Sequence, residues 1–299
     1  SDLFDFCEAE YFLALKEGKV VGRVAGIINN RANEKWGTKD VRFGWIDFID
    51  DIEVSKALLK AVEDYGKEKG MDSIVGPLGF TDMDPEGMLT WGFDQLGTMA
   101  TSYNYDYYPK HMEKLGGWEK DNDYVEYRLD VPETAPEKYT KIAEMVEKRY
   151  NLHARKLTKK DIFEGGYGKK LFDLINVTYS HLYGFSELSE RQIDQYVKMY
   201  FPLADLDLIT VVEDGNKDNQ LVGLAITIPS LTRALQKCHR GRLFPFGWWH
   251  LLRAIKFHKT EVVDLLLIGV LPEYRSKGAN SLVFADLIPR YVKYGFKWG

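Results

Sequence analysis

Apolar and polar residues follow a repeated order along the chain, and that order predicts the secondary structure. In the first half, two apolar runs flank the charged turn Glu17-Gly18-Lys19, which is typical of a β-hairpin, and a third strand follows at Val41–Ile49. Apolar residues then recur three and four positions apart from Val54 to Tyr65, which predicts an amphipathic helix ending near Gly70. Three short elements complete this half, namely strands at Ser73–Val75 and Tyr124–Leu129 and a helix at Tyr107–Leu115.

The second half begins with three predicted helices and then repeats the order of hairpin, strand and helix found in the first half. Helices are expected near Tyr139–Tyr150, Leu171–Tyr183 and Glu190–Tyr200. Strands at Leu208–Val212 and Leu221–Ile228 then flank the turn Asp214-Gly215-Asn216. An apolar strand at Val262–Leu271 leads into a helix at Asn280–Tyr294, as the third strand of the first half leads into its helix.

The two hairpins agree in detail. Each places a Val-Gly pair early in its second strand, at Val21-Gly22 and at Val222-Gly223, so the chain resembles itself at a period of about 200 residues. The sequence therefore predicts an α+β fold with two tandem units, each a mixed, mostly antiparallel twisted sheet flanked by helices. The predicted domains are 1–131 and 137–299, and the Pro132–Pro136 segment is the expected linker.

The length, charge and cysteine count limit the kinds of function that this protein can have. A length of 299 residues suits two domains, and a net charge of −5 argues against a nucleic-acid partner, which would demand a surplus of Lys and Arg. Cys7 and Cys238 are the only cysteines, which favours a reducing, cytoplasmic location. The chain begins at Ser1 without Met and stops at Gly299 directly after an aromatic run, so we expect the second domain to be truncated at its C-terminus.

The turn after the apolar strand of the second half has the chemistry of an anion-binding loop. It reads Arg275-Ser276-Lys277-Gly278-Ala279-Asn280 and opens a helix. Glycine lets the backbone approach a ligand closely, the first amides of a helix lack intrahelical partners, and two cations supply charge for a phosphate. The alternative is an ordinary strand-to-helix turn with exposed basic residues, since short motifs often occur by chance.

This order of hairpin, strand, R-x-x-G turn and helix resembles the GNAT superfamily of acyl-CoA N-acyltransferases. The tandem layout also resembles bacterial tandem GNAT-like proteins and, more distantly, N-myristoyltransferase and the Fem-type peptidyl transferases, while "NYDYYPKHMEKLGGWEK" resembles the end of a GNAT domain. The resemblance implies acetyl-CoA or another acyl-CoA as cosubstrate and no metal. It also implies the cofactor-binding residues, which are Ile268, Gly269 and Val270 on the strand and Arg275, Ser276, Lys277, Gly278, Ala279 and Asn280 in the loop. Asn280 departs from the usual Gly or Ala.

The matching turn of the first half has the opposite character. It contains four carboxylates and no glycine, at Asp47, Asp50, Asp51 and Glu53. Negative charge repels a pyrophosphate, so we expect the first copy to be degenerate in cofactor binding.

Aminolysis of a thioester requires an acceptor for the proton of the amine. Asp264 on the expected cofactor strand, Glu273 at its mouth and Tyr179 near the acceptor cleft are the candidate catalytic residues. Each also has a structural interpretation, as a solvated or capping carboxylate or as a packed tyrosine.

One segment, Leu231–Thr260, contains seven Lys or Arg and no Asp or Glu, together with Phe244, Phe246, Trp248 and Trp249; we call it the basic aromatic insert. It is expected either to pack on its domain with a basic rim or to reach a membrane surface through residues 243–258.

The sequence thus predicts an N-acyltransferase, with an acetyl group as the expected cargo, that moves the acyl group to a small-molecule or peptide amine by direct attack. Two alternatives stay open. One is a non-catalytic binding or scaffold protein that retains the fold, and the other is a peripheral membrane acyltransferase acting on lipid or peptidoglycan precursors. The oligomeric state is not predicted.

Overall fold

The computed structural model describes residues 2–134 and 136–299. Ser1, the start of the first predicted domain, and Ala135, within the predicted linker, lie outside the described residues. Two compact units are present, one formed by the chain up to Val125 with Leu182–Ser186 and the other by Glu126–His181 with Glu187–Gly299. The predicted domain limits stay predictions.

The first unit is built on a four-stranded sheet in the order β1-β2-β3-β4. Its elements are β1 (Cys7–Lys16), β2 (Lys19–Asn29), α1 (Asn30–Trp36), β3 (Asp40–Phe48), α2 (Ile52–Glu68), β4 (Ser73–Val75) and α3 (Tyr107–Leu115). The first three strands pair antiparallel, whereas β3 and β4 are parallel because α2 crosses over between them. The helix packs its apolar face so closely on the sheet that a Cβ at Gly22 would lie 2.8 Å from Leu58 Cδ1.

The second unit has a sheet in the order β5-β6-β7-β8, and its three strand pairs are antiparallel. Its elements are α4 (Glu137–Tyr150), β5 (Leu152–Arg155), α5 (Lys159–Phe163), α6 (Tyr167–Thr178), α7 (Glu190–Tyr200), β6 (Ile209–Asp214), β7 (Gln220–Pro229), α8 (Thr232–Gln236), α9 (Gly247–Phe257), β8 (Val263–Val270), α10 (Pro272–Arg275) and α11 (Ala279–Tyr294). Trp298 forms a parallel bridge with Val262, so the chain returns beside β8 after α11 as it returns beside β3 after α2. The predicted α+β fold with two sheets flanked by helices is confirmed.

Two predicted elements differ from the structure. The run Tyr124–Leu129 alternates as a strand would, but it joins neither sheet; instead Leu129 exchanges backbone hydrogen bonds with Gly299 in the second unit. The helix predicted to reach Tyr183 ends at Thr178, so Tyr179 and Tyr183 do not share a helix face. Local pattern cannot reveal which neighbour a strand-like segment finds.

None of the helices in the described residues is long and apolar enough to cross a lipid bilayer.

Candidate functional site

The predicted loop forms a tight connection between β8 and α11. Gly278 adopts the left-handed conformation, with φ of 80°, and begins the 16-residue helix α11. A side chain there would be strained, and its Cβ would lie 3.3 Å from Val146 Cγ2. The glycine that the motif singled out is therefore required by the backbone path of the turn.

The start of α11 carries no negative group. It has no side-chain cap and no acidic residue in its first turn. The Ser281 hydroxyl donates to the carbonyl oxygen of Gly278 at 2.7 Å, and this bond uses none of the backbone amides of the first turn. Such a helix start, with the positive end of the helix dipole behind it, favours an anion.

The two loop cations have local partners. Arg275 donates through Nε to the carbonyl oxygen of Val270 at 3.0 Å, and this bond ties the loop to the end of β8. Lys277 Nζ lies 4.2 Å from the centre of the Tyr274 ring and 6.0 Å from that of Tyr150. Both charges lie at the start of α11, although each is also used to hold the turn in shape.

Tyr274 is a part of this loop that sequence reasoning missed. Its side chain is fully buried and its hydroxyl donates to Asp214 Oδ2 at 2.7 Å, which anchors the loop to the end of β6. An aromatic residue inside a basic turn was the available signal, because exposed loops seldom place one there without a packing role.

The backbone of β8 is engaged at the position expected to hold a thioester. The amide of Ile268 donates to the Tyr179 hydroxyl at 3.0 Å, and that hydroxyl donates to the carbonyl oxygen of Ile268 at 3.2 Å. The next residue, Gly269, permits this approach, since a Cβ would lie 2.6 Å from Thr178 Oγ1. A thioester at Ile268 would have to displace Tyr179, so the roles of both residues stay predictions. Burial raises the pKa of Tyr179.

Asp264 is the most unusual carboxyl group of the second unit. It lies near the start of β8 and is 4% exposed, and among the described residues neither carboxylate oxygen has a partner at hydrogen-bond distance, although the Ser230 hydroxyl lies close enough to affect its pKa. Burial raises its pKa to about 6, the charge of Glu126 adds to the shift, and the nearby Ser230 hydroxyl opposes it. A carboxylate kept from water in this way accepts a proton more readily than an exposed one.

The structure does not bring the other predicted carboxylate to Asp264. Glu273 is exposed on α10, beyond the far end of β8. Six residue steps of strand, or roughly 20 Å, separate Asp264 from Val270, so the two carboxyl groups lie at opposite ends of the strand.

The matching turn in the first unit is closed to anions. Asp51 caps α2 by accepting from the amide of Glu53 at 3.1 Å, and it also pairs with Lys16 at 2.7 Å. Asp50 accepts a hydrogen bond from His111 Nε2 at 2.8 Å. Carboxylates thus occupy the positive end of this helix, where the second unit presents a glycine and two cations.

The first unit also contains a buried carboxyl group that the sequence did not indicate as special. Glu86 has its pKa raised to about 8 by burial and by the charge of Asp82 beside it. The segment 82–87, which contains both groups, resembles a calcium-binding loop only in its first residues. In residues 2–134 and 136–299, no three His, Cys, Asp or Glu side chains are grouped so that they could hold a metal ion.

Two curated proteins match nearly the whole chain in sequence. The chain is 26% identical over 292 residues to the bacterial ceramide synthase of Caulobacter vibrioides, covering 94% of this chain and 71% of that protein. It is 27% identical over 280 residues to protein YghO of Escherichia coli, covering 93% of this chain and 69% of that protein. No family model matches the chain.

Among solved structures, the chain is similar to the GCN5-related glucosamine N-acetyltransferase region of a fungal multi-domain GH3 β-N-acetylglucosaminidase. The TM-score is 0.51 at 13% identity, and the match covers 97% of this chain and 30% of that one. The similarity is at the level of the fold, and the two four-stranded sheets flanked by helices are consistent with the predicted pair of GNAT-like units.

Proposed function

We propose that the protein is an N-acyltransferase that moves an acyl group from a coenzyme A thioester to the amine of a long-chain amino lipid. The observation that carries the proposal is Asp264, a buried carboxyl group with no partner at hydrogen-bond distance in the described part of the chain, on the strand that leads into the proposed anion-binding loop. An enzyme that deprotonates an ammonium group needs such a base, and a merely structural carboxylate would normally be paired.

The donor is proposed to bind the second unit. Its diphosphate lies against the amides at the start of α11, with Arg275 and Lys277 beside it, and its thioester lies along β8 near Ile268. Donor binding there requires the Tyr179 hydroxyl to leave Ile268. Helix dipole, amides and cations all favour a dianionic group at this position.

The chemistry is a single displacement. The acceptor arrives as an ammonium ion, and one of its protons passes along a chain of waters to Asp264, which lies four strand residues, or roughly 13 Å, from Ile268. The free amine then attacks the thioester carbon. A carbon–nitrogen bond forms, the carbon–sulfur bond breaks, and the coenzyme leaves as a thiolate that takes up a proton. A covalent acyl-cysteine is not needed, and both Cys7 and Cys238 are buried.

The acceptor class is suggested by the relative named bacterial ceramide synthase, with which this chain shares 26% identity over nearly its whole length. A ceramide is the amide of a fatty acid and a sphingoid base, so the corresponding donor is a fatty acyl-CoA. We therefore expect a long-chain acyl-CoA to be used better than acetyl-CoA, whereas the resemblance to the acyl-CoA N-acyltransferases implies acetyl-CoA or another acyl-CoA.

The experiment is a donor and acceptor matrix. Purified protein is mixed with acetyl-CoA or palmitoyl-CoA and with sphinganine or a short amine, and both free CoA and the amide product are measured. Amide formation from palmitoyl-CoA and sphinganine supports the proposal. CoA release with acetyl-CoA and a short amine only would overturn the lipid acceptor and retain the reaction class.

A non-catalytic binding protein is the second candidate, and one observation favours it. Both backbone groups of Ile268 are satisfied by Tyr179, which occupies the place where the thioester carbonyl would be held. This candidate predicts that palmitoyl-CoA raises the melting temperature while no amine in the matrix releases CoA.

A further inference from the structure

Five aromatic side chains of the basic aromatic insert project into solvent. Their exposed fractions are 77% for Phe244, 70% for Phe246, 55% for Phe257, 46% for Trp248 and 42% for Trp249. Three of the rings form a contiguous surface, since the Trp248 and Trp249 centroids are 5.8 Å apart and those of Trp249 and Phe257 are 6.3 Å apart. Contiguous apolar surface of this kind usually marks an interaction site.

Helix α9 exposes its large apolar side chains, which is the reverse of the burial pattern of a helix that packs on a core. Its fully buried residues are the small Gly247 and Ala254, whereas its largest side chains, Trp248, Trp249 and Phe257, lie on the exposed side. A helix that served only its own domain would turn the large apolar residues inward. The arrangement therefore presents these rings outward.

The loop before α9 is held in one shape. The amide of Trp248 donates to the carbonyl oxygen of Leu243 at 2.8 Å, and its indole Nε1 donates to Pro245 at 3.0 Å. A Cβ at Gly247 would lie 2.2 Å from the carbonyl oxygen of Arg242, so only glycine allows the turn to close. Phe244 and Phe246 are thus presented on a folded loop beside the exposed face of α9.

Cations surround these rings. All seven basic residues of the insert are exposed: Arg233, Lys237, Arg240, Arg242, Arg253, Lys256 and Lys259. No ion pair within the described part of the chain involves any of them, and Arg233 donates instead to Gln236 at 3.2 Å. The segment contains no acidic residue in a chain whose net charge is −5, and the structure places Asp205 and Asp207 beside Lys256 at one end of it.

We propose that the basic aromatic insert docks the second unit on an anionic phospholipid surface, with the exposed rings in the interfacial layer and the cations at the headgroups. Aromatic and aliphatic side chains flanked by Lys and Arg are what such an interface accepts. A nucleic acid would use the cations but would leave Leu235 and Leu243, which are 39% and 50% exposed, without a role. Docking requires neither donor nor acceptor, so it goes beyond the proposed reaction.

The insert is attached firmly enough to position the rest of its unit. Directly after α9, His258 Nε2 lies 2.7 Å from Asp205 Oδ2, and the imidazole stacks on Tyr294 at the end of α11 with centroids 3.9 Å apart. β8 begins five residues later at Val263. A membrane bound to the insert would therefore lie beside the strand that carries Asp264.

The test is vesicle flotation of the full chain without any acyl donor or amine. Vesicles are made of phosphatidylcholine alone or of phosphatidylcholine with phosphatidylglycerol, at low and at high salt. We expect binding to the anionic vesicles that weakens with salt, and little binding to the neutral ones. Phe244→Ala with Phe246→Ala is expected to weaken binding about 10-fold, and Arg240→Gln, Arg242→Gln, Arg253→Gln and Lys256→Gln together about 100-fold.

Matched controls replace exposed groups elsewhere, namely Trp91→Ala with Tyr103→Ala, and Lys19→Gln, Lys56→Gln, Lys114→Gln and Lys138→Gln together. Melting temperature verifies that every variant is folded. The proposal is overturned if the insert variants float like the controls, or if the chain binds heparin through the same cations but no vesicle. Failure of amide formation with intact vesicle binding would reject the proposed reaction and leave this inference standing.

Discussion

The two strand-to-helix turns of this chain occupy the same place in two similar sheets and have opposite electrostatics. In the first unit, α2 begins at Asp51, whose carboxylate caps the helix and pairs with Lys16. In the second, α11 begins at the left-handed Gly278, with two cations in the preceding turn and no capping side chain. The fold supplies a helix dipole in both places, and the residue at the helix start decides whether an anion can use it.

The strands that precede these helices are more alike than the turns. A tyrosine hydroxyl accepts from a backbone amide in each, Tyr179 from Ile268 and Tyr108 from Phe48, the latter at 3.2 Å. In the first unit the Phe48 and Tyr108 rings also stack, with centroids 4.1 Å apart, so aromatic side chains fill the space at the C-terminal end of β3. At this place the two units therefore differ in charge and in how aromatic side chains fill the end of the strand, since an antiparallel hairpin and a third antiparallel strand precede the helix in both.

The largest expected effect is on kcat, and it distinguishes the buried carboxyl group of the second unit from that of the first. Asp264→Asn is expected to lower kcat about 100-fold to 10,000-fold, because the amide cannot take a proton from the amine. Glu86→Gln is the matched control, since Glu86 is also a buried carboxyl group with a raised pKa. The rate of amide formation at saturating donor gives kcat for both variants. A large fall with Glu86→Gln and none with Asp264→Asn would move the chemistry to the first unit.

The second effect concerns stability and pH. The pKa of Asp264 is about 6 in the folded protein and 3.8 in the usual reference, so the folded state holds the proton more tightly. The stability gained from protonation is complete below the reference value and is lost as the pH rises through 6. At pH 8 the ionised, buried group costs up to about 3 kcal/mol, which Asp264→Asn should recover.

Melting curves of wild type and Asp264→Asn at several pH values measure this difference. The variant should be the more stable protein at pH 8, and its advantage should shrink as the pH falls from 7 to 4. An advantage of equal size at every pH would show that Asp264 is not ionised and buried in the folded state.

The third effect tests the helix starts directly. Arg275→Gln with Lys277→Gln is expected to weaken palmitoyl-CoA binding about 10-fold to 100-fold, because two charged contacts to the diphosphate are lost. Lys16→Gln with Arg23→Gln is the counterpart in the first unit and should leave binding unchanged. Isothermal titration provides both affinities. Equal losses in the two double variants would mean that the donor is not held at the start of α11.

Much of this architecture was accessible from the sequence because local pattern and tertiary structure agree there. The helix at Tyr107–Leu115 and the helix at Glu190–Tyr200 have the predicted limits, and Gly278 and its cations lie at the helix start as expected. Period, turn chemistry and helix stops are local properties that short segments encode.

What the sequence could not predict depends on distant partners. Nothing near Tyr124–Leu129 indicates that Leu129 will pair with Gly299, and nothing near Tyr179 indicates that its hydroxyl will bind Ile268. The buried state of Asp264 was also hidden, since a carboxylate in an apolar strand is compatible with either an exposed or an enclosed position. Such features arise from packing between segments far apart in the chain.

The smallest effect compares the two tyrosines. Tyr179→Phe removes a hydroxyl that serves both backbone groups of Ile268, and Tyr108→Phe removes the one that serves the amide of Phe48. Each change leaves buried backbone without a partner and should lower the free energy of unfolding by about 1–2 kcal/mol. Chemical denaturation measures these losses, and similar losses would show that the two hydroxyls have the same structural role.

Catalysis then distinguishes the two positions. Since the Tyr179 hydroxyl must leave Ile268 before a thioester can bind, Tyr179→Phe should tighten the binding of palmitoyl-CoA a few-fold and change kcat little, whereas Tyr108→Phe should alter neither. A 100-fold fall in kcat with Tyr179→Phe at unchanged donor affinity would contradict this expectation. In that case Tyr179 would be the proton donor to the departing thiolate, the catalytic role for which its position near the acceptor cleft first made it a candidate.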